Sequence, residues 1–140
     1  MTLLVDTSVI LKWFHEAGES EVPEARALLR AHRTGAAPLL VLDLGAYELG
    51  NVLLRPLGLS AAVVTQQLTV LRALCGPLVH PRPSWHDAAA QLGERHALTY
   101  YDASWAAAAQ ALQCPLVSAD RRLLSAGLAI TATQAAADLA

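Results

Sequence analysis

The chain has 140 residues, of which 54% are hydrophobic and 16% charged, with a formal net charge of −2. This composition excludes a disordered chain and predicts a single compact domain over residues 1–140. The charge argues against a strongly basic nucleic-acid-binding domain, although an enzyme can meet nucleic acid through metal ions and a few local arginines.

The first half of the chain alternates apolar runs with helical patterns. Residues 3–6 are predicted as a strand that is apolar on both faces, which is typical of a parallel sheet covered by helices. The elements predicted next are a helix over 8–14, a turn over 18–23, a helix over 23–32, a strand over 39–42, a helix over 43–55 capped by Asp43, and a helix over 60–74 capped by Ser60.

The second half continues the alternation. The predicted elements are a strand over 78–80, a helix over 84–96, a helix over 102–112 opened by Asp102, a strand over 115–118, a short helix opened by Asp120, and a strand over 128–131. Strands that alternate with helices predict an α/β fold with a mostly parallel sheet. In such sheets, ligands bind beyond the carboxyl ends of the strands.

The cysteines and the hydrophobic runs bear on the compartment. Cys75 and Cys114 have no metal-ligand spacing, which favours two reduced, buried thiols. The chain shows no signal peptide, and no apolar run is long enough to span a bilayer. We therefore expect a cytoplasmic protein without a membrane segment.

Three aspartates stand where the predicted strands end or a helix begins. Asp6 follows the first strand, Asp120 follows the apolar run PLVSA, and Asp102 opens an Ala-rich helix. Each can be a helix N-cap, which is the common reason for an aspartate at such a place. Each can also belong to a site, because α/β proteins bind ligands at strand ends.

Glu48 interrupts the apolar face of its predicted helix. Leu44, Glu48 and Val52 are spaced by four residues, so they share one face. A glutamate at such a position either extends to water at the edge of the face or is held inside by a cation.

Taken together, Asp6, Glu48, Asp102 and Asp120 (the four acids) predict an anionic cleft. If they converge, they raise one another's pKa and reduce stability, and a divalent cation resolves this. Carboxylate oxygens suit Mg²⁺ or Mn²⁺. The five histidines are scattered along the chain, so no cluster favours Zn²⁺. We therefore expect the four acids to hold Mg²⁺ or Mn²⁺.

Four segments resemble the signature segments of PIN-domain ribonucleases, and they are most similar to those of VapC-type toxins of toxin–antitoxin pairs. In chain order they are LLVDTSVILKWF, YELGNVL, YYDASWAAAA and PLVSADRRLL. The resemblance implies a three-layer α/β/α sandwich, a metal cluster built from the four acids, and hydrolysis of RNA phosphodiesters. Thr7 and Ser118 match hydroxyl positions that support the site in similar proteins, and Asn51 matches a polar position near it.

The resemblance also implies partners, namely a homodimer, a cognate antitoxin and an RNA substrate, for which single-stranded or looped RNA is plausible. The basic residues that we consider for phosphate contacts are Arg121, Arg122, Lys12 and Arg55, with a solvated surface role as the alternative for each. The aromatic residues that can stack on bases, unless they belong to the core or an interface, are Trp13, Phe14, Tyr47, Tyr100, Tyr101 and Trp105.

Other functions stay open at this stage. A catalytically inactive PIN-like binding module has the same fold, and so does an RNA-processing nuclease outside any toxin–antitoxin pair. A phosphotransfer enzyme of the HAD type is disfavoured because it needs a second acid two residues after the first, where this chain has Ser8. A receiver domain needs an adjacent acidic pair and a later lysine, and neither is evident.

Overall fold

A parallel sheet of three short strands lies at the centre of the computed structural model, which describes residues 1–139. Strand β1 (Leu3–Val5) lies between β2 (Leu39–Leu40) and β3 (Leu116–Val117) and runs parallel to both. All three residues of β1 are completely buried. This agrees with its unbroken apolar sequence, because a strand that alternates in polarity would have one face in water.

A fourth segment joins the sheet beside β2 through one residue pair, Leu42 with Val79. The sequence predicts a strand over 78–80, and the segment does pair with the sheet but forms no longer ladder. Pro77 and Pro81 flank it, and proline has no N–H to donate to a neighbouring strand. The pairing is therefore limited to one bridge.

A fifth segment joins on the opposite side, through Val117 and Ile130. The strand predicted over 128–131 is also reduced to one bridge, in which the Ser118 N–H donates to the Ile130 carbonyl at 3.0 Å. Thr131 is the N-cap of a helix that begins at the next residue, so the extended segment ends there.

Helices cover the sheet. Within residues 1–139 they are α1 (Thr7–Phe14), α2 (Val22–Arg33), α3 (Leu44–Leu54), α4 (Ala61–Cys75), α5 (Pro83–His96), α6 (Tyr100–Leu112), α7 (Arg121–Ser125) and α8 (Ala132–Ala137). They pack in pairs, α1 on α2, α2 on α8, α3 on α4, and α5 on α6. This confirms the predicted α/β/α sandwich. No helix within residues 1–139 has the length and apolar character needed to cross a membrane. Helix α8 has no counterpart among the predicted elements.

Of the predicted helix caps, the one at Asp102 is wrong, and Asp43 is at the predicted N-cap position but makes no capping bond. Asp102 does not open α6, because Thr99 is the N-cap and its hydroxyl accepts the Asp102 N–H at 3.1 Å. Asp102 therefore lies in the first turn. Asp43 precedes α3 but makes no capping bond, and its carboxylate instead contacts His80 Nδ1 at 2.9 Å. The cap predicted at Ser60 is confirmed.

The strand order explains where a site forms. From β1 the chain first builds β2 and the Val79 segment on one side, and it later returns to build β3 on the other side. The carboxyl ends of β1 and β3 therefore flank the point at which the strand order reverses, which is where doubly wound folds bind ligands. Asp6 directly follows β1, while Ser118 and Asp120 follow β3.

Candidate active site

The structure brings the four acids together around one cavity of about 300 Å³ at the carboxyl ends of β1 and β3. They come from four separate places: the end of β1, the middle of α3, the first turn of α6 and the loop after β3. Thr7, Ser8, Leu11, Val52 and Trp105 complete the wall. The convergence expected from the sequence is therefore present.

Asp6 is the most deeply buried of the four acids, with 4% of its surface exposed. Its Oδ1 accepts the Ser8 N–H at 3.1 Å and the Ser8 hydroxyl at 2.5 Å. Burial raises the pKa of Asp6 to about 7, with a further contribution from the charge of Glu48, although the Ser118 and Ser8 hydroxyls act in the opposite direction. A bound cation would favour the ionised carboxylate.

Glu48 is held by two donors on a single oxygen. Its Oε1 accepts the Thr7 hydroxyl at 2.8 Å and the Trp105 Nε1–H at 2.8 Å. No ion pair to Glu48 is present within residues 1–139. Glu48 is partly buried, and neutral donors hold one of its carboxylate oxygens.

Trp105 is a site residue that the sequence reasoning placed only among possible base-stacking or core aromatics. Its side chain is 1% exposed, and its indole reaches Glu48 across 57 positions of sequence. Gly45 allows this approach, since a Cβ at position 45 would lie 3.3 Å from the Trp105 ring. The signal that was available is its spacing, because a residue three positions after Asp102 lies on the same face of a helix.

A hydroxyl network joins the ends of β1 and β3. The Ser8 hydroxyl, bonded to Asp6, accepts the Ala119 N–H at 2.8 Å and lies 3.4 Å from the Ser118 hydroxyl. Ser118 in turn accepts the Asp120 N–H at 2.9 Å. The predicted supporting role of Ser118 fits this arrangement, whereas Ser8 was missed although a hydroxyl two residues after an aspartate is a recurrent local motif.

Asp120 and Asp102 complete the cleft. Asp120 Oδ1 accepts the N–H groups of Arg122 at 2.9 Å and Leu123 at 3.4 Å, so this residue is the N-cap of α7 as well as a cavity residue. Burial raises the pKa of Asp102, the charges of Asp120 and Glu48 add to the rise, and Arg122 opposes it. Capping and site membership are therefore compatible roles for Asp120, and the same holds for Asp6.

The donor set fits a hard divalent cation. No N–H within residues 1–139 donates to Oδ2 of Asp6 or Asp120, or to Oε2 of Glu48. As the side chains stand, that part of the chain contains no group of three or more His, Cys, Asp or Glu residues able to hold one ion among them. The cleft does offer carboxylate oxygens, which are the ligands that Mg²⁺ prefers.

Lys12 does not fit its predicted role as a phosphate contact. Its side chain is 2% exposed, and its Nζ donates to Glu19 Oε1 at 3.0 Å and to the Ser20 carbonyl at 2.6 Å. The ammonium group is thus matched inside the protein, because the turn after α1 folds back over it. It is not available to a ligand.

The other predicted contacts lie on the surface. Arg121, Arg122 and Arg55 are exposed, the first two at the start of α7 and the third at the end of α3. Asn51 is also exposed, and it lines a cavity of about 420 Å³ beside the acid cleft rather than the cleft itself.

Neither histidines nor cysteines line the acid cavity. Both cysteines are free thiols, Cys75 buried and Cys114 half-buried, as expected from the sequence. Burial raises the pKa of Cys75 to about 11 and also raises the pKa of Cys114, so neither is a reactive thiolate.

Comparison with protein-family models matches residues 3–127 to the PIN domain. The chain therefore belongs to the PIN domain family. Comparison with curated proteins finds no match.

The solved structures most informative for the fold come from three organisms. The chain is similar to PAE2754 from Pyrobaculum aerophilum, with a TM-score of 0.73 and 24% identity over 99% of this chain and 89% of that one. It is similar to the sarcin–ricin loop cleaving toxin VapC20 of Mycobacterium tuberculosis, with a TM-score of 0.68 and 18% identity over 89% and 95% of the chains. It is also similar to a toxin–antitoxin complex from Klebsiella pneumoniae, with a TM-score of 0.67 and 15% identity over 93% of this chain and 97% of that one.

Proposed function

We propose that this protein is an endoribonuclease that uses Mg²⁺ or Mn²⁺ to hydrolyse RNA phosphodiester bonds. The observation that carries the proposal is the convergence of four carboxylates from four chain segments on one cavity, where Asp6 is buried and has no ion-pair partner within residues 1–139. Membership of the PIN domain family agrees with it.

The four acids would hold the ion, with Asp6 and Asp120 as principal ligands and Glu48 and Asp102 acting directly or through water. When bound, Mg²⁺ or Mn²⁺ supplies a water nucleophile of lowered pKa and neutralises the charge that develops on the phosphoryl oxygens. The protein's part is positioning. Ser8 fixes Oδ1 of Asp6, and Trp105 fixes Oε1 of Glu48, so that both carboxylates are held in place at the cleft.

Exposed arginines would hold the RNA backbone. Arg121 and Arg122 directly follow Asp120, and Arg122 is close enough to Asp102 to influence its pKa. Arg55 lies at the far end of α3. A guanidinium group binds phosphate through paired hydrogen bonds, so these positions would keep the strand next to the anionic cleft.

We further propose that the nuclease is the toxin of a type II toxin–antitoxin pair, acting as a homodimer and inhibited by a cognate antitoxin. The support is the fold shared with VapC20 and with the Klebsiella pneumoniae complex, over nine-tenths or so of each chain. An RNA-processing nuclease and a binding module without activity are the alternatives.

A cleavage assay tests the enzymatic part. We expect the purified protein to cut structured RNA with Mg²⁺ or Mn²⁺, and to stop cutting in EDTA or as the Asp6→Asn variant. Asp87→Asn is the matched control, because it makes the same chemical change at an exposed position on α5 and should leave cleavage intact. Equal cleavage under all of these conditions would refute metal-dependent catalysis by the cleft.

Expression in cells tests the toxin role. We expect growth arrest that Asp6→Asn relieves, and sequencing of RNA ends after induction should reveal the cut site. Cleavage without growth arrest would favour a processing enzyme. Partner binding without any cleavage would favour the inactive module.

A further inference from the structure

Two tyrosines stand exposed beside the acid cleft, and each directly precedes one of the four acids. Tyr47 comes before Glu48 on α3, and Tyr101 comes before Asp102 in the first turn of α6. Their side chains are 77% and 60% exposed, which is unusual for such large apolar groups. Neither hydroxyl makes a hydrogen bond within residues 1–139.

The neighbouring Tyr100 shows what a structurally engaged tyrosine looks like in this protein. Its ring stacks on His86 with the ring centres 6.1 Å apart and the planes within 7°. Its hydroxyl donates to the His86 carbonyl at 3.2 Å. Within residues 1–139, Tyr47 and Tyr101 make neither a ring stack nor a hydroxyl hydrogen bond of this kind.

The two tyrosines line a cavity that continues from the acid cleft. This cavity of about 420 Å³ shares Glu48 and Val52 with the cleft. Tyr47 and Tyr101 also line a further cavity of about 320 Å³ on their other side. A strand that leaves the acid cleft in this direction would therefore pass over both rings.

We propose that Tyr47 and Tyr101 form a subsite for one unpaired nucleobase of the RNA, next to the scissile phosphate; this inference rests on the proposed function. Tyrosine rings stack on the π-face that every base presents, and single-stranded RNA offers bases that are free to stack. Asn51 lines the same cavity, and its amide has both a donor and an acceptor for the edge of a base. Stacking would supply affinity, and Asn51 would supply preference among bases.

A nucleobase fits this cavity better than a protein partner does. The cavity contains the Glu48 carboxylate and the Asn51 amide, and charged groups are depleted from the cores of protein interfaces. The apolar Leu54, exposed on the same helix, lines neither this cavity nor the one beyond it. Leu54 therefore offers a matched control for loss of exposed apolar surface from α3.

Binding measurements provide the first test. The probes are fluorescein-labelled ten-nucleotide single-stranded RNAs (oligo-U, oligo-A and oligo-C), measured by anisotropy with Ca²⁺ in place of Mg²⁺. We expect Tyr47→Ala and Tyr101→Ala each to weaken binding about tenfold, because a lost base stack commonly costs this much. Tyr47→Phe, Tyr101→Phe and Leu54→Ala should stay within about twofold of the wild type.

Cleavage of an RNA that the wild-type protein cuts provides the second test. The alanine variants should raise KM about tenfold and leave kcat nearly unchanged. One abasic nucleotide beside the cut should also raise KM about tenfold. Combining it with Tyr101→Ala should raise KM little further, because both changes remove the same stacking interaction. Asn51→Ala should alter the preference among bases more than the overall rate.

The outcomes separate the subsite from the nuclease. RNA binding that depends on the tyrosines, without cleavage, would support the subsite and refute the nuclease. Cleavage and binding that are unchanged in both tyrosine variants would refute the subsite alone. Failure of the wild-type protein to bind any of the RNAs would refute both. Light scattering covers the protein-interface alternative: a change of oligomeric state in the tyrosine variants and in Leu54→Ala would overturn the proposal.

Discussion

Helix α1 has a buried charged residue at each end, and the protein treats the two differently. Lys12 is 2% exposed, and its ammonium group binds the Glu19 carboxylate and the Ser20 carbonyl. Asp6, just before the helix, is 4% exposed, and in the described part of the chain its donors are hydroxyl and amide groups. A charge matched within the fold serves structure, whereas a buried charge without a counter-ion marks a place for an external ligand.

The largest expected effect on stability comes from Asp6, the buried acid just before α1. Because the pKa of Asp6 rises from its usual 3.8 to about 7 on folding, the folded state binds more protons between these values. The free energy of unfolding in EDTA should therefore fall as the pH rises from about 4 to about 7, and Asp6 should contribute roughly 4 kcal/mol to this fall. Asp6→Asn should remove the Asp6 contribution and leave the smaller one from Asp102, whose pKa is also raised, so that above pH 7 the variant is more stable than the wild type. Urea unfolding across this pH range measures it.

Asp87→Asn, at an exposed position, should unfold like the wild type throughout. Addition of Mg²⁺ at pH 8 should stabilise the wild type by mass action but not Asp6→Asn, because the variant lacks the carboxylate. If Asp6→Asn is instead less stable than the wild type at pH 8 in EDTA, then the buried charge is matched within the protein and the comparison fails.

The second largest effect on stability comes from Lys12, the buried cation near the end of α1. Lys12→Met keeps the length of the side chain but leaves Glu19 and the Ser20 carbonyl without their donor. We expect a loss of about 3 kcal/mol in the free energy of unfolding, at the lower end for a buried pair because Glu19 is 24% exposed. RNA cleavage should survive in the folded variant, since Lys12 does not line the cleft.

Arg26→Met is the control for Lys12→Met, because Arg26 pairs with Glu16 on the surface, where both side chains are about half exposed. Its loss should cost less than about 1 kcal/mol. Equal losses for the two variants would show that the Lys12 pair is no better matched than an exposed one.

Local sequence was sufficient for the parts of the site that follow strands. Asp6 and Asp120 directly follow apolar runs, and the parallel sheet brings the ends of such runs together, so their convergence could be predicted. Glu48 could be predicted because it interrupts an apolar helix face. The α/β fold with a parallel sheet follows from the alternation of strands and helices, and the three-layer α/β/α sandwich was implied by the resemblance to PIN domains.

Contacts that depend on tertiary folding could not be predicted in this way. Lys12 was interpreted as a surface cation because nothing in the sequence shows that Glu19 folds back over it. The Trp105 bond to Glu48 joins α6 to α3 and depends on the small size of Gly45, which has no local signature. The strand predicted over 78–80 forms only one bridge within residues 1–139, and the sequence did contain the reason, because prolines flank the segment.

The third effect concerns the hydrogen bond by which Trp105 holds Glu48 in the acid cleft. Trp105→Phe removes the indole donor to Glu48 and should reduce the free energy of unfolding by about 2 kcal/mol. Because Glu48 then has only Thr7 to fix it, affinity for Mn²⁺ measured by calorimetry should fall about tenfold. Trp13→Phe is the matched control, since its indole donates to the Ala25 carbonyl at 2.8 Å, outside the cleft. It should lose stability but keep its affinity for Mn²⁺, and equal losses of affinity would contradict the positioning role.

The smallest effect tests how closely α3 must approach α6. A Cβ at Gly45 would lie 3.0 Å from Val41 Cγ1 and 3.3 Å from the Trp105 ring, whereas a Cβ at Gly50 would meet Leu68 Cδ1 at an ordinary 3.6 Å. Gly50→Ala should therefore stabilise the protein by up to about 1 kcal/mol through helix propensity. Gly45→Ala should destabilise it by about 1 kcal/mol, because Val41 is completely buried and β-branched and cannot easily move. Equal stabilisation of the two variants would show that the core yields at this point, and that Glu48 can be positioned without close packing of the indole.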